Sequence, residues 1–156
     1  MSGLAQSLVS RARAAQKTIA TAESCTGGMI AAAITDIAGS SAVFGFGFVS
    51  YANAAKTEML GVPAELIAAD GAVSEAVARA MAIGARERAG ADMAVAVTGI
   101  AGPDGGSAEK PVGTVWFGLA MRDAVRAERR VFTGDRAQVR AQTVEHALEL
   151  LRAAIG

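Results

Sequence analysis

Residues 22–28 read Ala22-Glu23-Ser24-Cys25-Thr26-Gly27-Gly28. The run that leads into them, residues 18–22 (Thr-Ile-Ala-Thr-Ala), has the composition of a short buried strand. From Met29 the period changes. Met29, Ile30, Ala33, Ile34 and Ile37 fall on one face of a helix predicted over 29–38, and Gly39 is its stop. A strand that turns into a helix through Ser-Cys-Thr-Gly-Gly sets the β-then-α order from which the rest of the fold is read. It is also a good place for chemistry. A serine hydroxyl there stands at the end of the sheet. The glycines let backbone N–H groups approach a bound molecule, and the helix N-terminus favours negative charge. The corner holds a nucleophile, a phosphate, or only itself.

Upstream, Leu4, Leu8, Ala12 and Ala15 recur at helical spacing and predict a first helix. Downstream, residues 43–51 are aromatic and β-branched, a strand whose two glycines allow close backbone approach. A short helix over 54–60 closes at Gly61, and Pro63 opens another. Ser74 caps a helix over 75–89 that ends at Gly90. Residues 92–98 read as a buried central strand, followed by a glycine-rich loop, 99–112. Residues 113–121 and 126–133 form a hairpin around Arg122-Asp123. Asp135 caps the last helix, whose apolar face includes Val139, Val144, Leu148 and Leu151. Strands alternating with helices, then a hairpin, predict an α/β class: a three-layer α/β/α sandwich on a mixed, about five-stranded sheet. One domain over residues 1–156 is expected, since no linker or repeat interrupts the pattern.

Apolar residues make up 52% of the chain and charged residues 19%, which excludes a disordered chain. Fifteen Lys and Arg balance fifteen Asp and Glu. That balance argues against direct nucleic-acid binding, which needs a basic excess or face. Arg126, Arg129 and Arg130 are read as a solvated strand face. The single cysteine, Cys25, and single histidine, His146, leave no disulfide framework and no Cys- or His-based metal cluster. Neither a metal nor a cofactor is expected. The first residues lack the apolar core of a signal peptide, and no run is long enough to span a membrane, so a cytoplasmic protein is expected. The aromatic strand over 43–51 and the modest size suggest a homo-oligomer.

Neither a P-loop nor a G-x-G-x-x-G fingerprint is present. The 99–112 loop follows a buried strand, where α/β proteins place ligands, and includes Gly102. Its blander reading is a mobile surface loop. With one histidine, placed mid-helix and read as packing or solvated, a Ser-His-Asp triad on Ser24 is excluded, and a lysine is the natural base. The chain has three lysines. Lys17 belongs to the far end of the first strand. Lys110 completes a literal S-x-x-K with Ser107, but Gly106 and Pro111 flank it, so no helix aligns the pair. Lys56 remains, either as base to Ser24 or as an ordinary surface lysine. A base must be neutral, which requires burial or a nearby cation. Cys25 is read as a small buried hydrophobe. Glu23 is placed to orient a neighbour or to cap the helix start, and Thr98 ends a buried strand facing the same crevice.

The segments AESCTGG (22–28), SYANAAKTEMLGV (50–62), GAVSEAVARAMA (71–82), AVTGIAGPDGG (96–106), KPVGTVW (110–116) and FTGDRAQVR (132–140), in this order, resemble the CinA C-terminal domain family. The resemblance covers nearly the whole chain. Stand-alone members of that family are nicotinamide mononucleotide amidohydrolases, which convert the carboxamide to nicotinate mononucleotide and ammonia in pyridine nucleotide salvage. The resemblance implies Ser24 as nucleophile and Lys56 as general base. It implies Tyr51 and Thr98 as active-site positions, and an arginine of the 134–140 segment: Arg136, with Arg140 as alternative. Backbone groups at Thr26, Gly27, Gly28 and Gly102 are expected to meet the substrate's oxyanion or phosphate. Two-domain members carry an additional N-terminal domain associated with ADP-ribose pyrophosphatase activity, which is not expected of 156 residues. The competing readings are a non-catalytic nucleotide-binding or regulatory module, and an interaction domain in DNA uptake or repair.

Overall fold

The computed structural model describes residues 2–156. Five strands form one mixed sheet: β1 (Ile19–Glu23), β2 (Phe44–Val49), β3 (Met93–Gly99), β4 (Thr114–Met121) and β5 (Val125–Val131), in the order β2-β1-β3-β4-β5. β1 runs parallel to β2 and β3, whereas β3, β4 and β5 run antiparallel in turn. The helices are α1 (Ser2–Ala15), α2 (Met29–Thr35), α3 (Asn53–Leu60), α4 (Ala64–Asp70), α5 (Glu75–Ala89) and α6 (Arg136–Ile155). None among the described residues is long and apolar enough to cross a membrane.

Two apolar clusters cover the two faces of the sheet. On one, Leu8, Val9 and Ala12 of α1 and Val144, Leu148 and Leu151 of α6 bury Ile19, Val95, Val97, Phe117 and Leu119. On the other, α5 lies on a floor of small residues: Ala20, Ala22, Ala94, Ala96 and Ala120 pack against Val77, Met81, Ala82 and Ala85. The small floor permits a close approach. A Cβ at Gly118 would run into the carbonyl of Ala78. The α/β/α sandwich read from the sequence is the observed architecture.

Several boundaries shift for physical reasons. The helix expected over 29–38 stops at Thr35, whose hydroxyl bonds back to the carbonyls of Ala31 and Ala32 before Asp36 caps the end. The strand expected over 43–51 ends at Val49, and the next two carbonyls, of Ser50 and Tyr51, accept from Lys56. Pro63 is the N-cap of α4 rather than its first residue. Ser74 caps α5 by accepting from the Val77 N–H, and Asp135 forms a capping box with Gln138 on α6.

A cleft at the carboxyl ends of the parallel strands

Parallel β1, β2 and β3 end on the same side of the sheet, and a cleft of about 300 Å³ opens there. Ser24 and Cys25 come to it from the turn after β1, Tyr51 and Lys56 from the β2–α3 connection and α3, and Val73 from the loop before α5. Thr98 comes from β3, Gly102 and Asp104 from the following loop, and Arg136 from α6. The loop's neck is closed by two bonds that extend the β3–β4 ladder, Ile100 N–H to Thr114 O (2.9 Å) and Gly113 N–H to Ile100 O (2.7 Å). Its first half is thereby held over the strand ends.

Lys56 is 1% exposed, which removes the surface-lysine reading. Its Nζ lies 3.1 Å from Ser24 Oγ, 3.2 Å from Ser50 O and 3.1 Å from Tyr51 O. Burial lowers its pKa below the ordinary lysine value. Ser24 is 8% exposed, and its N–H is fixed to Val97 O at 3.1 Å. Cys25 is buried as expected for a small hydrophobe, and burial pushes its thiol up to about 11. A thiol with that pKa stays protonated near neutral pH, and it is the Ser24 hydroxyl, not this thiol, that lies within hydrogen-bond distance of the Lys56 amine.

Thr98 is 1% exposed and donates to Ala72 O at 2.9 Å, tying β3 to the loop before α5. Arg136 donates to Gly102 O at 2.8 Å and lies 3.4 Å from Tyr51 Oη, bridging two walls of the cleft. The structure therefore brings Ser24, Lys56, Tyr51, Thr98, Gly102 and Arg136 together. Thr26, Gly27, Gly28 and Arg140 do not line the cleft. Thr26 is fully buried, and its hydroxyl donates to Glu23. Gly27 and Gly28 take left-handed backbone, with φ of 57° and 106°, to make the turn. Arg140 donates to Cys25 O (3.0 Å) and Thr26 O (3.2 Å), bracing the turn from behind.

The remaining candidates lie elsewhere. Lys110 donates through Nζ to Asp70 O, so the S-x-x-K match has no catalytic geometry. His146 packs edge-on against Phe117, with centroids 4.7 Å apart, and pairs with Glu128. Glu23 caps α2, accepting from the N–H groups of Ile30 and Ala31. Sequence reasoning missed the Ser50 and Tyr51 carbonyls, which carry no residue-type signal. It also missed Asn53 and Asp104 on the cleft wall. Asp104 follows Gly102-Pro103 inside the glycine-rich loop, and that position was its available signal.

The family model for the CinA C-terminal domain matches residues 1–155. A CinA-like protein from Citrifermentans bemidjiense is 64% identical over 86% of this chain, and the match covers 33% of that protein. The chain thus spans about a third of the length of such CinA-like relatives. A protein of Enterobacter agglomerans named nicotinamide-nucleotide amidohydrolase PncC is 61% identical over 82% of this chain and 79% of its own length. The crystal structure of a CinA superfamily protein from Klebsiella pneumoniae superposes with a TM-score of 0.95 at 40% identity, over 99% of this chain and 96% of that one. With the cleft at its strand ends and the motifs that line it, this chain belongs to the CinA C-terminal domain family.

Proposed function

We propose that the protein is an amidohydrolase that converts the carboxamide of nicotinamide mononucleotide to the acid, releasing ammonia, with Ser24 as nucleophile and Lys56 as general base. The observation that carries this reading is the bonding of the Lys56 amine. A neutral amine has two N–H donors and one lone pair. The carbonyls of Ser50 and Tyr51 can only accept, so they take the two N–H groups. The third direction, toward Ser24 Oγ at 3.1 Å, is left to the lone pair. Burial lowers the Lys56 pKa and so favours the neutral form, in which that lone pair can take the Ser24 proton.

In the reaction, Lys56 takes the Ser24 proton as Oγ attacks the carboxamide carbon. The N–H of Cys25, the residue after the nucleophile, supports the oxyanion in this reading. Protonated Lys56 gives its proton to the departing ammonia. A water, deprotonated by the same lysine, then attacks the ester carbonyl, and Lys56 passes that proton to the departing Ser24 Oγ as the acid is released. Arg136 is the cation on the cleft wall other than Lys56 and holds the 5′-phosphate. The relative named nicotinamide-nucleotide amidohydrolase supports this substrate. The whole chain is one catalytic domain in this reading.

The test is ammonia release. Wild-type protein incubated with nicotinamide mononucleotide should release ammonia and nicotinate mononucleotide. Ser24→Ala should bind the nucleotide and lose turnover by at least about a thousandfold. A wild-type protein that binds the nucleotide without ammonia release would favour a non-catalytic binding module.

A further inference from the structure

We propose that Glu23 is a positioning residue for Ser24: its carboxylate, acting through the start of α2, sets where the nucleophile stands. This inference rests on the amidohydrolase reading above and assigns a role that the reaction itself leaves open.

Glu23 is the last residue of β1 and is 1% exposed. One of its oxygens accepts from the Thr26 hydroxyl and from the Ile30 N–H (2.9 Å). The other accepts from the Ala31 N–H (3.0 Å). Those N–H groups belong to the first turn of α2 and lack intrahelical partners. Gly28, at the N-cap position, offers no side chain to satisfy them. A carboxylate seven residues before Ile30 therefore does the work of the missing cap, where the helix dipole favours negative charge. The consequence is geometric. The chain leaves Glu23, passes through Ser24, and returns to bond to Glu23 at Thr26, Ile30 and Ala31. Arg140 holds the opposite side of the same turn through the carbonyls of Cys25 and Thr26. Glu23 accepts from the Thr26 hydroxyl and from two N–H groups of α2, and Arg140 donates to two carbonyls of the turn. The turn's own frame is two backbone bonds, Gly27 N–H to Ser24 O and Met29 N–H to Thr26 O (3.1 Å each), with the Ser24 N–H held by Val97 O (3.1 Å); Glu23 adds the side-chain tie from this frame to the start of α2. Glu23 makes none of the bonds to Lys56, so its effect reaches the dyad through the placement of Ser24 rather than through the proton.

A displacement of about 1 Å is enough to cost on the order of a hundredfold in rate. The variant to make is Glu23→Gln. It keeps one oxygen acceptor but turns an NH2 group toward an N–H donor. The expected result is a folded protein whose kcat falls by about tenfold or more, whose KM stays within about twofold, and whose acid limb of the pH–rate profile does not move. Labelling of Ser24 by a sulfonyl fluoride should slow in parallel, and this readout does not depend on the substrate assignment. A wild-type protein that is labelled but releases no ammonia therefore refutes the substrate while leaving the positioning role testable. One that is neither labelled nor active overturns both. If Glu23→Gln does not fold, Thr26→Val and Thr26→Ser carry the test: loss of rate and labelling in the first, with recovery in the second, supports the role. The proposal is overturned if Glu23→Gln melts lower but turns over and labels like wild type, because Glu23 is then a cap alone. It is also overturned if the acid limb shifts, because Glu23 then acts on the Lys56 proton, or if both Thr26 variants behave as wild type in place of an unfolded Glu23→Gln.

Discussion

Replacing Lys56 by Met separates what the amine does for catalysis from what it does for stability. The substitution keeps a long apolar stem in a site that is 1% exposed and removes the nitrogen. Two buried carbonyls, of Ser50 and Tyr51, lose their donor, which costs about 1 kcal/mol each. Against that, the variant no longer buries an ionisable group whose charged form the site disfavours. The balance depends on pH, and its sign follows from the lowered pKa. The unfolded chain holds the Lys56 proton up to a pH of about 10.4. The folded chain releases it lower, so between the two values the unfolded state binds more protons and wild-type stability rises with pH. The Met variant lacks that rise. Above a pH of about 10.4 it should therefore be at its worst, up to about 2 kcal/mol less stable. For a chain of this length that is about 4–8 °C in Tm. Toward neutral pH the deficit should shrink or reverse, by about 1.4 kcal/mol for each unit by which the pKa is lowered. The assay is thermal melting of both proteins across pH 7 to 10.5, plotted as a difference so that groups common to both cancel. Over the same range ammonia release should fall by about 10²–10⁴-fold. A difference that does not change with pH, or a deficit that deepens as pH falls, would refute a lysine poised in its neutral form.

Other outcomes follow from the same geometry. The pH profile of wild-type kcat/KM should fall on the acid side with a midpoint below the ordinary lysine range, since protonation of Lys56 removes the base. Arg136→Ala should raise KM for nicotinamide mononucleotide about tenfold or more while leaving the weaker turnover of the nucleoside that lacks the phosphate largely unchanged, as steady-state kinetics on both substrates will show. Gly118→Ala should lower Tm by several degrees, about 1–3 kcal/mol, because its methyl meets the Ala78 carbonyl under α5; activity per folded molecule should be retained. Asp92 accepts from the Thr18 N–H at 2.8 Å, which holds its carboxyl below the usual range. Asp92→Asn should cost about 1 kcal/mol at neutral pH, and melting curves should converge with wild type as pH drops through the lowered carboxyl pKa.

The architecture was legible because its signals are local. Ser74 and Asp135 are strong N-caps, Gly61 and Gly90 are stops, and the alanine-rich period-2 strands face a helix of matching small residues. Ser24 was legible for the same reason, as a serine between strand and helix. The Lys56 assignment was weaker. Its thirty-two-residue separation from Ser24 is bridged only by the fold, and spacing left it open between base and surface residue; its burial removes the second alternative. The turn itself misled in part. The sequence reading puts Thr26, Gly27 and Gly28 at the substrate, yet Thr26 turns inward to Glu23 and Arg140 braces the turn's carbonyls from behind. Composition cannot separate a turn that binds from a turn that is held. Arg136 and Arg140, four residues apart on α6, differ in just this way: one faces the cleft, and the other holds its frame.

The central claim is that an acyl group passes through Ser24. Its most direct test is mass analysis of the Ser24-containing peptide after acid quench of the reaction with nicotinamide mononucleotide in the first turnover. The account predicts a nicotinate mononucleotide ester on Ser24, formed with the first equivalent of ammonia and absent from Ser24→Ala. Ammonia released while Ser24 stays unmodified at every quench time, with Ser24→Ala turning over at the wild-type rate, would contradict it.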